Sequence, residues 1–117
     1  MNNSNLESLA HQIDILATEL IFSLRSSGVT KKLDEKKFKK LTSALKELQV
    51  MLIRDVTVPK SLVGNLFFIF TSLLSEANHA KIPGPIETAA WEIAELLQCI
   101  FGPEAPEPNQ EIPGVPL

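Results

Sequence analysis

The residues best able to do chemistry in this 117-residue chain are two small groups of potential metal ligands and one cysteine. Glu76 and His79 have the Glu-x-x-His spacing that places two ligands on one helix face in di-iron carboxylate bundles. Such a centre combines two of these motifs with two further carboxylates, and the sequence has one motif. The group that would have to complete the centre is Glu7, His11 and Asp14.

Helical periodicity argues against a metal centre at these residues. Glu76 and His79 are expected on the polar side of their helix, and Glu7, His11 and Asp14 lie off the main apolar stripe of theirs. Metal ligands in a bundle must project inward, so we expect neither a metal site nor a cofactor. His79 is expected instead at a helix C-terminus, where it meets the negative end of the helix dipole.

We also expect no nucleophilic catalysis. Cys99 lies late in a predicted helix, without the helix N-terminus or cationic neighbours that activate a thiolate. The sequence contains no P-loop, nucleophile elbow, GxGxxG or HExxH motif, so the chain is not expected to be an enzyme. A lone cysteine, and a first segment of 24 residues with three acids and no basic region, favour a reducing compartment such as the cytoplasm.

Four predicted helices must position these residues, because apolar side chains recur at three- and four-residue spacing. Ser4 and Asp34 are the expected N-caps, Thr57 is a possible third cap, and Gly28 is expected to close the first helix. Short connections favour antiparallel neighbours, so the expected fold is all-α, an antiparallel four-helix bundle. The helices are expected over about residues 5–27, 35–54, 59–79 and 85–102.

The composition changes after Gly102, so we expect a bundle domain over 1–102 and a Pro-rich acidic tail over 103–117. Five prolines in these fifteen residues exclude a helix. The apolar end of the tail, 112–117, could dock in a groove. Trp91, at the margin of the fourth helix, is a candidate surface for it, since aromatic grooves favour proline-rich segments.

The stretch 61–75 carries no charged residue. Its apolar part, 62–74, is 13 residues long, whereas a membrane-spanning helix needs about 20. Phe67 is expected to extend the buried face of this helix. The opposite side is also uncharged, and we expect another part of the chain or a second chain to cover it. With a second apolar stripe on the first helix and with Trp91, the interface candidates are Ile15, Phe22, Gly64, Phe68, Thr71 and Trp91.

Charge is unevenly distributed along a chain of net charge −3, since seven lysines lie between positions 31 and 46. This region is either a solvated face or a site for an anionic partner. The cluster contains no arginine and no interleaved aromatic surface, so we do not expect a nucleic-acid partner. The candidates for contact with an anionic partner are Lys36, Lys39, Lys40 and Lys46.

These observations favour a non-enzymatic interaction or regulatory protein that associates with itself. The alternative is a helical bundle that holds a small apolar or metal ligand. In that case Phe67, Phe68 and Phe70 would line its cavity.

Overall fold

The computed structural model of this protein describes residues 3–53 and 58–102. All regular structure in these ranges is helical, which confirms the all-α prediction and the number of α-helices. A 3₁₀ turn at Gly28–Thr30 connects the first two helices. The four α-helices are α1 at Asn3–Arg25, α2 at Glu35–Met51, α3 at Lys60–Asn78 and α4 at Gly84–Phe101.

The predicted cap of α2 is confirmed, because the side-chain oxygen Oδ1 of Asp34 accepts a hydrogen bond from the Lys37 backbone N–H at 3.0 Å. Such a bond satisfies one of the four N–H groups that lack a partner in the first turn of a helix. The predicted cap at Ser4 is wrong, since α1 already begins at Asn3. Thr57 lies outside the described residues.

Gly28 has the left-handed backbone conformation expected of a residue after a helix, with φ of 70°. It does not close α1 directly, because α1 ends at Arg25 and Gly28 begins the 3₁₀ turn. Two backbone hydrogen bonds close the end of α1 instead. The N–H of Ser26 donates to the Phe22 carbonyl at 3.0 Å, and that of Ser27 to the Leu24 carbonyl at 3.3 Å.

The apolar stripes of all four helices meet in one core, as their periodicity predicts. The α2 stripe is buried at every predicted position, from Phe38 to Leu52. Burying a Leu or Ile side chain stabilises the fold by roughly 1.5–3 kcal/mol, so this core dominates the stability of the domain. Its fully buried large residues are Ile13, Leu20, Leu24, Leu41, Leu45, Leu48, Leu62, Leu66, Ile69, Leu73, Ile86 and Ile93.

The principal packed pairs are α1 with α2, α3 with α4, α1 with α3, and α2 with α4. Although α2 and α3 are consecutive in sequence, they are not among these pairs. Each of α1 and α3 therefore has two main neighbours, and α3 lies between α1 and α4.

Within the described ranges, no helix combines the length and apolarity needed to cross a membrane. The predicted Pro-rich tail, 103–117, lies outside the described residues, as does the end of the second helix predicted at Arg54.

Candidate interaction surface

The outer side of α3 is exposed and carries no charged residue between Ser61 and Ser75. Gly64, Phe68 and Thr71 all lie on it, and the Phe68 side chain is 46% exposed. No other described part of the chain covers this side. The expectation of a cover is therefore not met within the described residues, and the interface prediction for these three positions stays open.

The polar side chain of Thr71 on this side is satisfied within its own helix. The Thr71 hydroxyl lies within hydrogen-bonding distance of two backbone carbonyls of its own helix, 3.0 Å from that of Phe67 and 3.3 Å from that of Phe68. At Gly64, a Cβ atom would meet no heavy atom within 4 Å, so the backbone there is open to approach. Nothing in the described chain requires Gly64 to be glycine.

The second candidate stripe lies on α1, which packs against α3. Ile15 is 44% exposed and Phe22 is 70% exposed, and both project from the side of α1 opposite the core residues Ile13 and Leu20. Single exposed hydrophobic residues are common on soluble proteins. Two in register on α1 form an exposed apolar stripe on a helix that neighbours α3.

On its other flank, α3 forms an apolar groove with α4. Phe67 and Phe70 line its α3 wall, and the α4 wall runs from Ala94 to Phe101. The groove has a volume of about 330 Å³ and no charged residue lines it. Its complete lining is Phe67, Phe70, Ala94, Leu97, Gln98, Phe101 and Gly102.

Trp91 stands beside this groove. Its ring meets that of Phe70 edge to face, with centroids 5.7 Å apart and an interplanar angle of 60°, a favourable arrangement for two aromatic rings. Trp91 is nevertheless 59% exposed. Phe67 is 56% exposed, so its predicted place on the buried face of the helix is wrong. Phe67 lies at the edge of that face, where its ring lines the open groove between α3 and α4.

Glu76 is the polar residue that sequence reasoning placed wrongly. It was expected on the polar side of its helix, but the structure buries it to 7% exposure. Its Oε2 atom accepts a hydrogen bond from Arg25 Nε at 3.2 Å, and Lys31 Nζ lies 2.8 Å from Oε1 as an ion pair without well-directed hydrogen-bond geometry. Lys31 Nζ also donates to the Leu24 carbonyl at 3.2 Å, near the end of α1. Through these contacts Glu76 links the end of α3 to the end of α1 and to the connection between α1 and α2.

Burial raises the pKa of the Glu76 carboxyl, because it disfavours the charged form. The contact with Lys31, the hydrogen bond from Arg25 and the attraction to both cations act in the opposite direction and prevail. The pKa of Glu76 consequently lies below its usual value, and the carboxylate is charged at neutral pH.

The other potential ligands do not converge. Among the described residues, no group of three or more His, Cys, Asp or Glu side chains could hold a metal ion. Glu76 is engaged by two cations, and His79, the C-cap of α3, has its Nδ1 atom 2.8 Å from the Ser75 carbonyl. Glu7, His11 and Asp14 are exposed on α1. Cys99 is a free, exposed thiol on α4.

The remaining candidates lie on α2 and near its start. Lys36, Lys39, Lys40 and Lys46 are all exposed. A separate, mostly apolar cavity of about 370 Å³ opens between the chain before α2 and the start of α4. This cavity was not predicted, because it joins segments distant in sequence. Its lining is Thr30, Lys31, Lys32, Leu33, Glu35, Lys81, Ile82 and Pro85.

Comparisons with protein families, with curated proteins and with solved structures find no match for this chain.

Proposed function

We propose that this chain is a non-enzymatic interaction or regulatory protein that associates with itself. The observation that carries the proposal is the uncharged outer side of α3, left exposed with Phe68 at its centre. An exposed helix side without charge suits an interaction surface, because surface helices normally carry charged side chains on their outer side.

Self-association suits this surface for an electrostatic reason. In a two-fold symmetric dimer the same patch of each subunit faces its own copy. Two charged patches of one sign would repel each other there, whereas the charge-free side of α3 brings no like charges together. The stripe of Ile15 and Phe22 on neighbouring α1 would extend the contact, and aromatic side chains are enriched among residues that dominate interface energetics.

The test is sedimentation velocity over a concentration series, with two charge-introducing variants. Phe68→Glu places a carboxylate in the proposed interface. Val50→Glu makes the same kind of change at a residue of α2 that is 71% exposed and lies on another helix. We expect the parent protein to form a dimer as concentration rises. Phe68→Glu should weaken the dimer at least tenfold, which corresponds to about 1.4 kcal/mol, and Val50→Glu should leave it unchanged.

Circular dichroism of both variants checks that the helices are retained. A parent protein that stays monomeric throughout the series would contradict the proposal, as would an equal loss of the dimer in both variants.

We further propose that the helices of the bundle run antiparallel within the pairs α1–α2 and α3–α4. The ion pair between Arg25 and Glu76 supports this, since it joins the C-terminal ends of α1 and α3, as expected when successive helices alternate in direction. We place the protein in a reducing compartment such as the cytoplasm, supported by the free thiol of Cys99. The lysines of α2 then serve as a solvated face or meet an anionic protein segment, not nucleic acid.

The second candidate function is binding of a small ligand, favoured by the cavity near the start of α2. Its volume of about 370 Å³ lies in the range of small-molecule sites. Leu33, Ile82 and Pro85 form the apolar part of its wall. Lys31, Lys32 and Lys81 also line it, so the cavity suits an apolar molecule with an anionic end. Native mass spectrometry of the purified protein tests this: a retained organic mass supports it, and a mass equal to that of the bare chain argues against it.

A further inference from the structure

We propose that the apolar groove between α3 and α4 binds the C-terminal segment 112–117 of the same chain. This inference does not depend on the proposed self-association, which uses the outer sides of α3 and α1. It assigns an occupant to a surface that the described residues leave open.

The groove itself offers apolar contact and almost nothing else. No charged side chain lines it, and its only polar side chain is that of Gln98. Phe67 and Phe101 at its walls are 56% and 39% exposed, so each ring keeps apolar surface that an occupant could cover. The groove therefore selects a segment that is itself apolar and has few unsatisfied polar groups.

The segment 112–117, IPGVPL, has these properties. Its prolines lack N–H groups and favour the extended polyproline conformation, in which the backbone keeps its contacts with water. Aromatic-lined grooves bind such segments in general, because the preformed conformation loses little entropy on binding. The acids Glu104, Glu107 and Glu111 all precede the segment, so their carboxylates can remain in solvent while the apolar side chains of 112–117 bind.

The point where the tail begins also favours this occupant. Gly102 is at once the C-cap of α4, the last residue of the groove lining and the residue before the tail. The ten residues from Gly102 to Ile112 can extend over about 31 Å in a polyproline conformation. The α4 wall from Phe101 back to Trp91 measures about 15 Å at 1.5 Å per residue. The tail is thus long enough to turn and return along the groove.

Because the segment 112–117 is attached to α4, even a weak contact is enough to keep it bound in the groove. A short flexible connection holds a segment at an effective concentration in the millimolar range. A segment that would bind as a free peptide with a Kd of about 0.1 mM would then occupy the groove in about nine-tenths of the molecules. A second copy of the chain would have to approach the effective concentration of the tethered segment, in the millimolar range, in order to compete.

The experiment is acrylamide quenching of the fluorescence of Trp91, the single tryptophan of the chain, in the full-length protein. In the test variant Ile112, Val115 and Leu117 are all replaced by serine, which removes apolar contact and keeps length and charge. In the matched control Glu104, Glu107 and Glu111 are replaced by glutamine, which removes charge and keeps the apolar end. Sedimentation at the same concentrations records the oligomeric state.

If the tail occupies the groove in about nine-tenths of the parent molecules, the quenching constant of Trp91 should rise about twofold in the serine variant, which has lost its apolar contacts, and stay unchanged in the glutamine control. A groove variant, Ala94→Glu, should raise it by a similar factor. Combining the groove and tail changes should produce no further rise. The reaction rate of the Cys99 thiol should be the same in all variants, because helical spacing places Cys99 on the side of α4 away from Ala94 and Phe101.

Three results would overturn the proposal. The first is equal quenching in the parent and the serine variant. The second is a change in the glutamine control as large as that in the serine variant, which would assign the effect to charge. The third is protection of Trp91 that disappears on dilution together with the dimer, which would assign the groove to a second copy of the chain.

Discussion

Replacing Lys31 by methionine tests whether one buried cation accounts for most of the stabilisation of the Glu76 carboxylate. The two cations at Glu76 differ in their surroundings. The Lys31 side chain is 10% exposed and its Nζ atom lies 2.8 Å from Oε1, whereas the Arg25 side chain is 54% exposed at 3.2 Å from Oε2. Water screens the second contact much more than the first.

The expected magnitudes follow from these exposures. Removing one partner of a buried ion pair costs about 3–5 kcal/mol because it leaves an uncompensated charge. Arg25 remains in the Lys31→Met variant, so we expect a loss of about 3 kcal/mol, at the low end of that range. For Arg25→Met we expect a loss below about 1 kcal/mol, as for other solvent-exposed pairs.

A double variant separates the charge from the packing. Lys31→Met combined with Glu76→Leu removes both members of the pair and leaves side chains of similar volume. Replacing a buried ion pair by apolar residues is often neutral, so the double variant should be within about 1 kcal/mol of the parent protein. The two single changes should therefore be strongly non-additive.

The assay is equilibrium unfolding in urea, followed by circular dichroism and by the fluorescence of Trp91, at constant pH and salt. Agreement between the two probes verifies a two-state transition. The control is Lys36→Met, at an exposed lysine on the same chain segment, which should change the free energy of unfolding by less than about 0.5 kcal/mol. The reasoning is refuted if Arg25→Met costs as much as Lys31→Met, or if the losses of the two single variants simply add.

Four further variants have expected outcomes. The pKa of Glu76 is lowered from its ordinary value of 4.5, so this carboxyl stabilises the fold above that pH and loses its contribution as pH falls through the folded pKa. The free energy of unfolding of Glu76→Gln should therefore fall less steeply with decreasing pH than that of the parent protein, as measured by acid unfolding. Asp34→Ala should cost about 1 kcal/mol in urea unfolding by removing the N-cap of α2, and no loss would contradict the capping bond. Gly28→Ala should lower the thermal midpoint, since the left-handed backbone conformation costs a residue with a Cβ about 1–2 kcal/mol. Gly64→Ala should raise it, because Gly64 lies inside a helix where an added Cβ meets no other atom, and alanine favours a helix over glycine by up to about 1 kcal/mol.

The sequence predicted the helices well because their signals are local. Residues three and four apart face the same side of a helix whatever surrounds it, so the α2 stripe from Phe38 to Leu52 could be located without a structure. The cap at Asp34 depends on an atom three residues away and was likewise predictable. The helix boundaries were predicted less accurately than the helices themselves. The first helix, α1, begins at Asn3, before its predicted cap at Ser4, because the N-cap preference is a weak local signal.

The candidate interaction surface was predictable only in part. The charge-free side of α3 is visible in the sequence, since helical spacing places Gly64, Phe68 and Thr71 together. The aromatic groove was not, because its walls belong to different helices. Phe67 lies at the margin of a stripe, and only the distance of α4 decides whether such a residue is covered or exposed.

Local periodicity by itself thus determined four helices, the apolar face of each, and an uncharged outer side on the third. The tertiary structure decided which helices are neighbours, which margins remain exposed, and why Glu76 can be buried. Arg25 and Lys31 are 51 and 45 positions from Glu76 in the chain, and no pattern within one helix could bring their charges to its carboxylate. Burial of a charge depends on partners that only the packing of helices supplies.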